Sequence, residues 1–147
     1  MALGFDEEKF ALPEKGKTYG RCGGRPLHSP LEHRVCDRLS RLGIAHSHSP
    51  RRYEIRIARD KVAAYSPCIV LRGRGREGKT AMIQVVSSMD ETMIKKIEAF
   101  RSLYNAEFYV MLVAPGSILN RIPPSCYDEA LLPTEFDSLA MRLAEQG

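Results

Sequence analysis

The chain has 147 residues, the usual length of one domain and enough to bury a real core. No stretch approaches the ~20 consecutive apolar residues of a membrane span, and the acidic start from Met1 to Lys17 lacks the apolar segment of a secretory signal. The net charge of +4 is unevenly spread: Lys15 to Lys79 holds 16 Lys/Arg against 5 Asp/Glu, and the remainder holds 6 against 13. An intracellular, cytoplasmic protein without a membrane partner is expected. Four widely spaced cysteines, Cys22, Cys36, Cys68 and Cys126, fit that compartment as free thiols.

Residues 1 to 26 read as an irregular arm, poor in apolar residues and broken by Gly16, Gly20, Gly23 and Gly24. Residues 27 to 147 read as one domain. Ser29, Pro30 and Glu32 open a helix: a cap, a proline at the first helical position, and the glutamate of a capping box. Leu31, Val35, Leu39 and Leu42 form its apolar stripe, and Gly43 ends it. Tyr53, Ile55 and Ile57 alternate with Arg52, Glu54 and Arg56, which predicts a half-buried strand. Cys68 to Leu71 and Ala81 to Val86 are apolar runs on either side of a Gly73–Gly78 turn, and predict two paired strands. Ser88 and Glu91 suggest a second capping box before a helix lined by Met93, Ile94, Ile97, Phe100 and Tyr104. Phe108 to Val113 predicts a buried strand, Tyr127 to Leu132 a short one, and Thr134 the cap of a last helix with Phe136, Leu139, Ala140 and Leu143. The order predicts an α/β fold: a mixed central sheet flanked by helices on both faces.

The basic middle suits a phosphate backbone. Its candidate contacts are Arg51, Arg52, Arg56 and Arg59 on the first strand and Arg72, Arg74, Arg76 and Lys79 at the turn. Arginine suits bidentate phosphate contacts better than lysine does. With few aromatics and no tryptophan, a stacking platform for single strands is disfavoured, so duplex or branched DNA is the expected partner.

The α-β-β-β-α-β order from Ser29 to Ala114 resembles the core of the restriction-endonuclease-like superfamily, the PD-(D/E)xK nucleases, which includes archaeal Holliday-junction resolvases. That resemblance implies a carboxylate pair holding Mg²⁺ and a lysine near the attacking water, chemistry that needs hard oxygen ligands. The matching positions here read Pro67-Cys68 and Gln84-Val85-Val86. The aspartate position is Cys68, a poor Mg²⁺ ligand. The glutamate position is Gln84, and the lysine position is Val86. Glu32 stands where active relatives add a helix glutamate, although its capping role accounts for it alone. Asp60, Asp90, Glu91, Lys79, Lys95 and Lys96 are the groups through which a relocated site would have to work.

Two other patterns attract notice. Gly73-Arg-Gly-Arg-Glu-Gly78-Lys79-Thr80 matches the phosphate loop GxxxxGK[ST], but such a loop must open a helix, and an apolar run follows instead. Cys22, His28, His33 and Cys36 lie within 15 residues, yet their spacing fits no common zinc site. His46 and His48 alternate near a strand start without a reason to be ligands. No metal or other cofactor is therefore expected, Mg²⁺ entering only with a nuclease. The expectation is a nucleic-acid-binding, catalytically inactive nuclease-like domain or noncatalytic subunit. It would pair as a homodimer, through Met89, Met93 and Pro123-Pro124, or with a partner protein. A metal-dependent endonuclease with relocated residues and a nucleotide binder through the glycine-rich loop are the alternatives.

Overall fold

A computed structural model of the chain describes residues 19 to 146. The first 18 residues of the expected arm lie outside the described ones. The rest of the arm is not irregular. It makes a small hairpin, β1 (Arg21–Cys22) and β2 (Arg25–Pro26), turning on Gly23 and Gly24, both at positive φ. Tyr19 N–H donates to the Leu27 carbonyl and Leu27 N–H to that of Gly20, both at 2.9 Å, and buried Leu27 carries the chain into the domain.

Helix α1 (Pro30–Arg41) starts as its capping residues require. Ser29 Oγ accepts the Glu32 N–H at 3.0 Å, and Glu32 Oε1 accepts the His28 N–H at 3.0 Å. Gly43 at φ 71° then turns the chain out of the helix. Strand β3 (His46–His48) follows. Next come a hairpin of β4 (Tyr53–Ala58) and β5 (Lys61–Tyr65), and a second of β6 (Ile69–Arg76) and β7 (Lys79–Val85). Helix α2 (Glu91–Tyr104), β8 (Phe108–Val113), the short α3 (Gly116–Leu119), β9 (Glu129–Leu131) and α4 (Pro133–Gln146) complete the described chain.

The central sheet has the order β3-β6-β7-β8-β9 and is mixed: β3-β6 and β6-β7 are antiparallel, β7-β8 and β8-β9 parallel. The fold is α/β, with this sheet between two helical layers. Ala81 and Ile83 of β7, with Tyr109, Met111 and Val113 of β8, join the core under α1 and α4. Met82, Phe108, Val110 and Leu112 face the other way, into the core under α2. A strand buried on both faces reads as a continuous apolar run, which is why β7 and β8 are plain in the sequence.

Three expectations need correction. The strand at Tyr53 lies outside the central sheet. It pairs with β5 alone, and Ile55, Tyr65 and Tyr53 pack on Phe100 of α2. The central sheet's first strand is β3 instead. Helix α2 is capped by Asp90 rather than Ser88: its Oδ1 accepts the Thr92 and Met93 N–H groups at 3.0 and 3.3 Å. Helix α4 begins at Pro133, and Glu135 reaches back to the Leu132 N–H at 2.8 Å, so Thr134 is already inside the helix.

Asp128 ties α2 to the start of β9. One carboxylate oxygen accepts Arg101 Nη2 and the other the Val110 N–H, each at 2.7 Å. Burial works to raise its pKa, but those bonds and the charges of Arg101 and Lys79 outweigh it and hold the carboxyl below its usual range. Asp128→Asn should therefore cost about 1–2 kcal/mol at neutral pH, since hydrogen bonds to charged groups are involved. A folded-state pKa below the unfolded one means this stability is full above about pH 4 and fades as pH falls through the lower folded value. Urea unfolding of both proteins across the acid range would check it; the two curves should converge at low pH.

Candidate functional site

Where β6 begins and β7 ends, beside the N-terminus of α1, the surface opens into a cleft of about 320 Å³. Glu32, Cys68, Gln84, Val86 and Asp90 all line it, so the positions named by the nuclease resemblance do converge. Their chemistry is another matter. Glu32 is buried, and both its oxygens are engaged: Oε1 by the His28 N–H and Oε2 by His48 Nδ1 at 2.8 Å. Gln84 is held by Tyr65, whose hydroxyl donates to Gln84 Oε1, and by its own Nε2–H donating to the Val85 carbonyl. Burial, and next the Glu32 carboxylate, push the Cys68 thiol well above its ordinary pKa, so it stays a neutral thiol. Val86 packs into the α2-side core and offers the cleft an apolar wall.

The relocated candidates fare unevenly. Asp90 reaches the cleft rim, but its Oδ1 caps α2. Asp60 lies in the exposed β4–β5 turn, beyond Ala58, and does not line the cleft. Lys95 and Lys96 are on α2 away from the cleft lining, as is Glu91 at the helix start.

The glycine-rich segment is a strand–turn–strand. Arg76 pairs with Lys79 across a two-residue turn in which Glu77 and Gly78 both have positive φ. Gly75 sits so close to its partner strand that a Cβ there would lie 2.5 Å from the Lys79 carbonyl oxygen. No helix N-terminus follows, so the loop cannot cradle a nucleotide phosphate as the motif does, and the nucleotide-binding alternative is withdrawn.

The basic residues fall into two groups. Arg76 is spent within the fold, paired with Glu129 at 3.4 Å and lying over the Tyr109 ring. Lys79 is half-buried, and the Arg74 side chain lies outside the described residues. Arg51, Arg52, Arg56, Arg59 and Arg72 are exposed, and none has a carboxylate partner among the described residues. Arg51 lies over the Tyr53 ring at 4.8 Å, Arg56 donates to the Arg59 carbonyl at 2.9 Å, and Arg72 to that of His46 at 3.5 Å. The arginine stretches do not together frame the cleft: Arg76 and Lys79 are at one end of β7, Gln84 at the other, roughly 17 Å along the strand.

A second constellation lies behind Glu32. Ligand-type atoms of Cys22, Cys36, His46 and His48 all fall within 4.8 Å of one another. Cys22 enters from the end of β1, Cys36 from α1 one turn beyond Glu32, and both histidines from the same buried face of β3. His46 Nε2 is 3.5 Å from Cys36 Sγ and 3.7 Å from Cys22 Sγ. Burial and then the neighbouring Cys22 push the Cys36 thiol up to about 11, and burial lowers the His46 pKa. The structure thus joins Cys22 and Cys36 to His46 and His48, and leaves His28 and His33 exposed. The i, i+2 histidines were the only local sign of this.

No protein-family model matches the chain, and the comparison with curated proteins found no match. Among solved structures it is similar to protein VC1899 from Vibrio cholerae, with a TM-score of 0.43 and 15% sequence identity, over 79% of this chain and 32% of that one.

Proposed function

We propose that this domain holds nucleic acid, duplex or branched DNA foremost, through its backbone phosphates and does not cut it, on a restriction-endonuclease-like frame whose catalytic positions serve structure. The observation that carries the reading is the sorting of charges. Asp137, Asp37, Asp128 and Glu129 are taken by other arginines, while Arg51, Arg52, Arg56, Arg59 and Arg72 stay exposed without an acidic partner. Unneutralised exposed guanidinium groups are what a phosphate backbone displaces counterions to meet. The cleft supports the noncatalytic half: a neutral thiol, an amide and a carboxylate with both oxygens bonded make a poor Mg²⁺ site.

The test is a comparison of salt slopes. Each phosphate neutralised contributes roughly −0.9 to the slope of log K against log salt. The triple variant Arg52→Ala/Arg56→Ala/Arg59→Ala should flatten that slope by about 2 to 3, with its melting temperature nearly unchanged. Arg76→Ala, already paired with Glu129, should change it by less than about 1. Equal slopes for the triple variant and the parent would overturn the reading. Asp90 on the cleft rim favours one other function, a metal-dependent nuclease using Glu32 and Asp90. Cleavage of duplex, branched or single-stranded substrates with Mg²⁺ or Mn²⁺, abolished by Asp90→Asn, would establish it instead.

A further inference from the structure

We infer that Cys22, Cys36, His46 and His48 form a closed, structural zinc site that ties the β1–β2 hairpin to α1 and β3. Geometry comes first. With Zn–S near 2.3 Å and Zn–N near 2.0–2.1 Å, the sulfur–nitrogen edge of a tetrahedron is about 3.5 Å. Cys36 Sγ and Cys22 Sγ stand 3.5 and 3.7 Å from His46 Nε2, already at that edge, and all four ligand atoms fit within 4.8 Å.

The second observation is the state of the imidazoles. His46 Nδ1 is 2.8 Å from the Ile44 carbonyl oxygen, which can only accept, so Nδ1 carries the proton and Nε2 presents a bare lone pair. His48 Nδ1 donates to Glu32 Oε2 at 2.8 Å, a carboxylate–histidine arrangement in which the neutral imidazole presents Nε2 to the cluster. That His48 Nε2 is buried and has no hydrogen-bond partner. A buried acceptor without a donor carries a desolvation cost, and a cation at the centre of the cluster removes it. Each histidine thus has the outer partner that metal-bound imidazoles have.

Charge closes the case. Zn²⁺ displaces one proton from each thiol, so two thiolates, two neutral imidazoles and one dication sum to zero, and two protons leave to solvent. All four positions are filled by the chain, so the site is closed and has no open coordination place for catalysis. A two-iron cluster would put the cysteines on one iron and the histidines on the other. Here both sulfurs crowd the same imidazole, which suits one ion. The hairpin also needs such a tie: two strands of two residues each cannot hold themselves. This inference does not rest on the nucleic-acid reading.

The full chain, purified under reducing conditions, should hold one zinc per chain by elemental analysis. Cobalt exchanged for zinc should show the intense visible bands of a tetrahedral ion and a thiolate charge-transfer band. Cys22→Ser/His46→Gln should lose the metal, and Glu32→Gln, which among the four ligands hydrogen-bonds His48 alone, should weaken it about tenfold or more. His28→Gln/His33→Gln should keep it in full. Should the ligand variants fail to fold, the parent protein decides alone: a weak octahedral cobalt spectrum, or no stoichiometric uptake of either metal, overturns the site. Metal retained by Cys22→Ser/His46→Gln, or lost on changing His28 and His33, overturns it equally.

Discussion

Glu32→Ala should destabilise the protein by about 3 kcal/mol, because it strips the partner from two donors at once in a buried place. The His28 N–H and His48 Nδ1–H both lose their acceptor, and Glu32 is only 3% exposed, so water cannot readily take over. Alanine keeps helix propensity, so the loss reports on the cap bond to His28 and the bond to His48 rather than on intrinsic propensity. Glu32→Gln keeps one carbonyl oxygen and should cost about 1–2 kcal/mol. A carboxylate kept for catalysis behaves in the opposite way: removing it commonly stabilises the fold, since active sites trade stability for function. Urea unfolding of the two variants distinguishes the cases. A Glu32→Ala protein as stable as its parent would mean the carboxylate is not a structural group.

Phe100→Ala should cost about 4 kcal/mol, in the range of large aromatic truncations in a packed core. Phe100 of α2 is 1% exposed and meets four rings: Tyr65 at 4.8 Å, Tyr104 at 5.0 Å, and Tyr53 and Phe108 at 5.4 Å between centroids. Such pairs add about 0.5–1.5 kcal/mol each beyond their burial. Two of the four, Tyr53 and Tyr65, come from the β4–β5 hairpin, which pairs with no strand of the central sheet. The truncation should therefore loosen this hairpin first. Amide exchange should accelerate in β4 and β5 more than in β7 and β8, and the proposed DNA binding should weaken with it, because Arg52, Arg56 and Arg59 ride on the hairpin or its edges. A cost below about 1 kcal/mol, or exchange that rises evenly across the sheet, would contradict this role.

Much of the fold was legible because its strongest signals are local. Ser29, Pro30 and Glu32 mark the start of α1 within four residues, and Gly43 marks its end. β7 and β8 are buried on both faces, so their apolar runs survive without any tertiary context. β3 was not legible: His46-Ser47-His48 has no apolar or β-branched residue, and it is a strand only because it pairs with Ile69 to Leu71. Missing β3 made the Tyr53 strand a false first member of the sheet. β5 was hidden for a related reason, since Val62, Ala63 and Ala64 give no clean alternation.

The cleft was legible and the Cys/His cluster was not. Cys68, Gln84 and Glu32 follow from element order, and the fold carries them to one place. Whether they can work depends on bonds to Tyr65, His28 and His48, none of which a motif contains. The Cys/His cluster draws its members from a small hairpin, a helix and a strand across 27 positions, so no spacing rule reaches it. Proximity in sequence instead favoured His28 and His33, which the helix start and its outer face leave exposed.

The most direct measurement is a salt series on the parent protein with a labelled DNA duplex and a four-way junction, Mg²⁺ present throughout. Five exposed arginines without a carboxylate partner predict a log–log slope of about −4.5, with the DNA recovered intact at every salt concentration. Binding that is absent or indifferent to salt, or DNA recovered as cleaved product, would contradict a domain that grips the phosphate backbone without cutting it.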